Sequence, residues 1–204
     1  NTRQYATKGY LEKLIAQVFT GRERFEPGNP QEGYSPSPQE RQSWLQISYM
    51  KEAYHTMGPK FTLGWMAEAL YSSKNFSENY TATMMQAGEF APTPHSKLMY
   101  NEAFRANQYV AAGIKPIYVL NDMFQFRTEF YGFTPIFPIK KNALNKAYYG
   151  KAFSRFEYMG EVSVICHLPF GAISAYVNHY SSPRREWNVG MTIGWQLFNY
   201  RFVE

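Results

Sequence analysis

Hydrolysis by a serine nucleophile asks for a hydroxyl on a glycine-flanked strand-to-helix elbow and a partner, such as an aspartate, that activates it. The chain contains one aspartate, Asp122, and no G-x-S-x-G. Its nearest approach, Gly171-Ala172-Ile173-Ser174-Ala175, lacks the closing glycine and falls in a stretch of strand character, which favours a structural role for Ser174. His55, His95, His167 and His179 show neither H-E-x-x-H nor a paired spacing with the single Cys166. No catalytic, metal-binding or cofactor-binding residue, and no cofactor, is therefore expected in this stretch. The residues left to explain are charges inside apolar surroundings: Glu12, Lys13, Glu52, Glu68, Lys115, Arg127, Glu129 and Glu161. They suit either a hydrated, salt-bridged interior or the lining of a path for a solute or polypeptide, and sequence alone does not separate the two.

The elements that must position those charges follow from composition. With 204 residues, 45% hydrophobic and 18% charged, the chain carries enough apolar material to fold. Its 17 Tyr, 16 Phe and 4 Trp, joined to a negative mean hydropathy, put much aromatic surface between apolar and wet surroundings. No apolar run approaches the roughly 20 residues of a transmembrane helix, so a closed barrel is the remaining way across a bilayer. The net charge of +5 is scattered, which argues against nucleic acid as a partner.

About eight stretches of roughly 9 to 12 residues alternate in polarity as strands do. Phe61, Leu63, Trp65, Ala67, Ala69 and Tyr71 share one face against Thr62, Gly64, Met66 and Glu68, and Trp187, Val189, Met191, Ile193, Trp195 and Leu197 alternate with Asn188, Gly190, Thr192, Gly194 and Gln196. Phe124, Phe126, Thr128 and Phe130 oppose Gln125, Arg127 and Glu129, and Val162, Val164 and Cys166 oppose Glu161, Ser163 and His167. Weaker stretches run over 10–19, 44–55, 108–119 and 172–180. Apolar residues on one face and polar ones on the other fit lipid outside and a lumen inside. A charge facing lipid at mid-membrane costs about 2–4 kcal/mol for Arg or Lys, so the strand charges are expected to point inward, with Glu68, Arg127, Glu129 and Glu161 as lumen charges.

The connections alternate in length. Those near 20–43, 72–107, 134–156 and 181–186 are long or intermediate, whereas 56–60, 120–122 and 168–171 are short. That alternation matches extracellular loops and periplasmic turns, with the C-terminus periplasmic. The 72–107 segment holds Met84, Met85, Phe90, Leu98, Met99, Tyr100 and Phe104, so a short helix or an inserted plug is expected there. A start at Asn1 without Met or leader reads as a mature protein or a fragment.

Several of these stretches carry a family resemblance. Asn1-Thr2-Arg3-Gln4-Tyr5-Ala6-Thr7-Lys8-Gly9 resembles the tyrosine-proline-threonine-x-glycine turn of the BamA-like bacterial surface-antigen superfamily, with Ala6 in place of proline. Leu168-Pro169-Phe170-Gly171-Ala172-Ile173 resembles its proline-leucine-glycine hairpin, and Asn188 to Phe198 resembles its C-terminal insertion signal, carried by Gly190, Gly194, Trp195 and Phe198. Tyr80 to Asn107 looks like the barrel that follows the esterase domain of patatin-like phospholipases. The resemblance implies an all-β fold over residues 1–204: an antiparallel transmembrane barrel region forming the last eight strands of sixteen. It also implies a module that anchors, and could translocate, a lipid hydrolase whose catalytic domain lies elsewhere. Implied partners are outer-membrane lipid and lipopolysaccharide, the outer-membrane assembly machinery and the protein's own N-terminal domains. The alternatives are an assembly or pore protein of that superfamily without a hydrolase, or a soluble lipid-binding barrel.

Overall fold

The computed structural model describes residues 5–23, 41–169, 171–182 and 187–195. Eight strands make one antiparallel sheet in chain order: β1 (Gly9–Arg22), β2 (Arg41–Thr56), β3 (Phe61–Ser72), β4 (Gln108–Val119), β5 (Phe124–Pro135), β6 (Glu157–Leu168), β7 (Gly171–Tyr180) and β8 (Trp187–Trp195). Each strand pairs only with its chain neighbours, so the sheet is a meander with edges at β1 and β8, and no pairing joins those two edges among the described residues. Within β4, Pro116 has no N–H to donate, and the pairing with β5 skips Lys115 and Pro116 before resuming at Ile117 and Arg127.

The turns at one end are local and self-sufficient. Met57 N–H donates to the Phe61 carbonyl, and the Asn121 side-chain oxygen accepts from the Met123 and Phe124 amides, an Asx turn that closes β4 onto β5. At the opposite end the connections build structure of their own. Residues 73–107 contain a helix, α1 (Tyr80–Gln86), whose N-terminus is capped by Asn79 accepting from the Ala82 amide at 2.8 Å. Residues 136–156, expected as one loop, hold a short hairpin that pairs Ile139–Lys141 with Ala147–Tyr149. The 20–43 connection is shorter than its sequence suggests, because β1 and β2 continue pairing out to Arg22 and Arg41; residues 24–40 lie outside the described part.

The two faces of the sheet differ in the reverse of the usual sense. One face, here the inner face, buries Gln125, Arg127 and Glu129 of β5, Glu161 and Ser163 of β6, Ser174 and Asn178 of β7, and Lys115 of β4. The other leaves Phe126, Phe130, Tyr158, Val162, Trp187, Val189, Met191 and Ile193 exposed. Charged side chains are almost never fully buried without partners, and a contiguous apolar face is rarely left bare on a water-soluble monomer.

What covers the inner face is the 73–107 insertion. Phe90, Ala103 and Phe104 enter one cluster with Met66, Tyr109, Tyr131, Phe133, Met159 and Tyr180 from the sheet. Phe90 stacks on Phe133 at 5.8 Å, and Phe104 meets Tyr180 edge-on at the same separation. Arg105 holds the insertion together from within. Its Nη1 donates to the carbonyls of Met84, Met85 and Ala87 at the end of α1, while Nη2 pairs with Glu89 at 2.5 Å. A cation at a helix C-terminus satisfies carbonyls that have no intrahelical partner.

Candidate functional site: a polar inner face

Strand parity decides which charges meet. Cross-strand partners share a face, and the pairs Arg127 with Ser163, Glu129 with Glu161, and Glu161 with Asn178 therefore align as rows on the inner face. Arg127 pairs with Glu129 on its own strand, donates through Nη2 to the Tyr54 hydroxyl at 2.9 Å, and through Nη1 reaches the Ala6 carbonyl at 2.9 Å. The Tyr131 hydroxyl donates to the other Glu129 oxygen at 2.5 Å. Lys115 pairs with Glu52, and Tyr109 donates to Glu68 at 2.5 Å. Buried charges persist only when partners offset their desolvation, and each of these has an ion pair or a hydrogen bond.

Glu12 differs from the other strand charges. It lies with Tyr49 and Lys51 on the outer face, accepting from the Tyr49 hydroxyl at 2.8 Å and sitting 3.4 Å from the Lys51 ammonium. The expectation that it points inward with Lys13 fails for a simple reason: consecutive strand residues face opposite ways, and Lys13 shares the face of Met50 and Glu68.

The tip of the insertion reaches furthest into this polar face. His95 is 1% exposed, with Nδ1 2.7 Å from Glu161 Oε1 and Nε2 3.3 Å from Ser174 Oγ. Its ring stacks on Tyr176 with centroids 3.5 Å apart, and Thr93 Oγ1 donates to the second Glu161 oxygen at 3.1 Å. From the other side Tyr5 donates its hydroxyl to Ser174 Oγ at 2.9 Å. Burial holds the Tyr5 phenol above its ordinary pKa and keeps it a donor. A carboxylate only accepts, so Nδ1 of His95 carries the proton facing Glu161, and in the neutral ring Nε2 is the acceptor facing Ser174.

Residue spacing marks Glu161 as a lumen charge but does not link it to Ser174 or His95. The residues stand 13 and 79 positions from Ser174, and only the antiparallel pairing of β6 with β7 plus the inward course of the insertion brings them together. Of the terminal-strand residues, Gly190 pairs with Tyr176 and Gly194 with Ala172, while Trp195 closes β8 opposite Gly171. Phe198 lies outside the described residues. Among the described residues no group of three or more His, Cys, Asp or Glu side chains could hold a metal ion.

Two cavities border the polar face. One of about 500 Å³ lies between sheet and insertion and is lined by Lys13, Glu52, Glu68, Lys97 and Lys115. The other, about 590 Å³, lies at the short-turn end and is lined by Tyr5, Lys8, Thr62, Asp122, Gln125 and His167. No protein-family model, curated protein or solved structure matches the chain.

Proposed function

We propose that this chain is the membrane-spanning part of a bacterial outer-membrane β-barrel, with the inner face as lumen wall, the 73–107 insertion as an internal plug and the C-terminus periplasmic. The observation that carries this reading is the inverted burial: Arg127, Glu129 and Glu161 are buried on one face while Phe126, Phe130, Val162 and the β8 residues Val189 and Ile193 are bare on the other. Water gives no reason for that arrangement, whereas lipid outside and hydrated polar groups inside do. Aromatic residues at strand ends, such as Phe61 with Tyr71 on β3 and Trp187 on β8, suit the two membrane interfaces.

Among the described residues the edges of β1 and β8 stay unpaired, which supports a larger barrel. A strand edge exposed to hydrocarbon leaves its N–H and C=O groups without partners at several kcal/mol each. Eight further strands, sixteen in all, would cover both edges, in keeping with the resemblance to the BamA-like superfamily. The barrel would then anchor a patatin-like lipid hydrolase, with outer-membrane lipid, lipopolysaccharide and the outer-membrane assembly machinery as its surroundings. Two experiments test this. Fractionation of expressing cells should place the full-length protein in the outer membrane with a band that shifts on heating in detergent; recovery as a monodisperse detergent-free protein would sink the membrane reading. The coding sequence ahead of Asn1 tests the hydrolase: a serine elbow with a D-G-[GA] motif supports it, and a length without either leaves a pore or assembly protein.

A further inference from the structure

We propose that Ser174, His95 and Glu161 form a nucleophilic site inside the sheet that cleaves short-chain carboxylic esters, and that Tyr5 covers it. This stands apart from any hydrolase domain outside the chain.

The geometry has the parts that an activated serine needs. Glu161 fixes the proton of His95 on Nδ1, at 2.7 Å, so Nε2 is free to accept from the Ser174 hydroxyl at 3.3 Å. The base is oriented twice over, by the Glu161 carboxylate and by the Tyr176 ring stacked on it at 3.5 Å, and Thr93 holds the other Glu161 oxygen at 3.1 Å. An unpaired amide lies in the same row. Gln125 pairs with Ile165, and Ile165 with Ser174, so Gln125 and Ser174 flank one residue on the inner face, two strand spacings or about 10 Å apart at the backbone. Gln125 is 2% exposed, and its Nε2 has no hydrogen-bond partner among the described residues. Buried amides left unpaired are uncommon enough to call for an explanation.

Access comes from the cavity of about 590 Å³ that both Gln125 and Tyr5 line. Tyr5 packs on Ile165 and Ala172, and its own O–H donates to Ser174. Displacing that ring opens Ser174 to the cavity. A space of this size suits a small molecule, which sets the substrate class as short acyl esters rather than two-chain lipids.

The step balances without an added reagent other than water. Ser174 Oγ bonds to the acyl carbon as its proton passes to His95 Nε2, and the carbonyl π pair moves onto oxygen. Collapse breaks the bond to the leaving oxygen, which takes the proton back from His95. Water then attacks the acyl-serine by the same route and releases the carboxylic acid.

The test uses the full-length purified protein and a fluorophosphonate probe, with the adduct located by peptide mass spectrometry so that a serine elsewhere is not counted. Wild type should label on Ser174. Tyr5→Ala should raise the rate about fivefold, the factor that one displaced hydrogen bond is worth. His95→Gln should lower it by about 100-fold or more. An unlabelled Ser174 in both wild type and Tyr5→Ala overturns the proposal. So does His95→Gln labelling at the wild-type rate with the β-sheet circular dichroism retained.

Discussion

Glu129 and Glu161 stand directly opposite each other on neighbouring strands, both buried, and each is held by a different set of donors. Arg127 and Tyr131 serve the first, His95 and Thr93 the second. Like charges so placed destabilise a sheet unless each is neutralised separately. Replacing Arg127 with Met would leave Glu129 buried without its cation and cost about 3–5 kcal/mol. The double variant Arg127→Met, Glu129→Gln should recover most of that loss. Denaturant midpoints followed by circular dichroism measure both; equal midpoints for the single and double variants would show that the carboxylate is not the source of the cost.

Val162 follows Glu161 in sequence but lies on the opposite face, half exposed. Val162→Arg should destabilise the protein by about 2–4 kcal/mol if lipid covers that face at mid-depth. On a water-facing surface the same change stays within about 0.5 kcal/mol. Unfolding in detergent or lipid against wild type separates the two, and a near-zero effect counts against the membrane reading.

Phe90 is the insertion's main apolar anchor, with its ring 6.1 Å from Tyr109, 6.0 Å from Tyr131 and 5.8 Å from Phe133. Phe90→Ala should cost about 3–5 kcal/mol. If that energy holds the insertion against the sheet, limited proteolysis should cut within residues 91–100 faster than in wild type while the strands stay protected. Met85→Ala, on the exposed side of α1, should change neither readout.

Gly190 is set opposite Tyr176, and a methyl group there would lie 2.5 Å from the tyrosine oxygen. Tyr176 cannot swing away freely, since its ring is stacked on His95. Gly190→Ala should therefore cost about 1–3 kcal/mol by overpacking. Gly21→Ala, where an added carbon meets nothing within 4 Å, is the comparison and should leave the thermal midpoint nearly unchanged.

Much of the sheet was legible because its cause is local. Alternation of Phe124, Phe126 and Phe130 with Gln125, Arg127 and Glu129 sets the strand period, and the structure gives β5 those two faces. Turn chemistry at Asn121 and length at 169–170 fix the short connections. The polar site was not legible, since Ser174 sits in an ordinary strand and His95 in a loop that sequence describes only as apolar enough to pack. Their meeting depends on pairing register and on where the insertion descends, neither of which leaves a trace in residue spacing. The hairpin Ile139–Tyr149 was missed because its three-residue strands are too short to show a period. Glu12 falls on the outer face because consecutive strand residues alternate and Lys13 takes the inner position.

That alternation also gives the chain a means of proofreading its own assembly. A shift of β6 by one residue against β5 would bring Val162 and Val164 inside and send Glu161 and Ser163 out, breaking the Thr93 and His95 contacts together with the phenylalanine face. A misaligned sheet thus loses on both surfaces at once, and the insertion can dock only on the correct one. Seating of His95 on Glu161, Ser174 and Tyr176 therefore requires β6 and β7 to be in register, and the docked insertion is a check on that pairing.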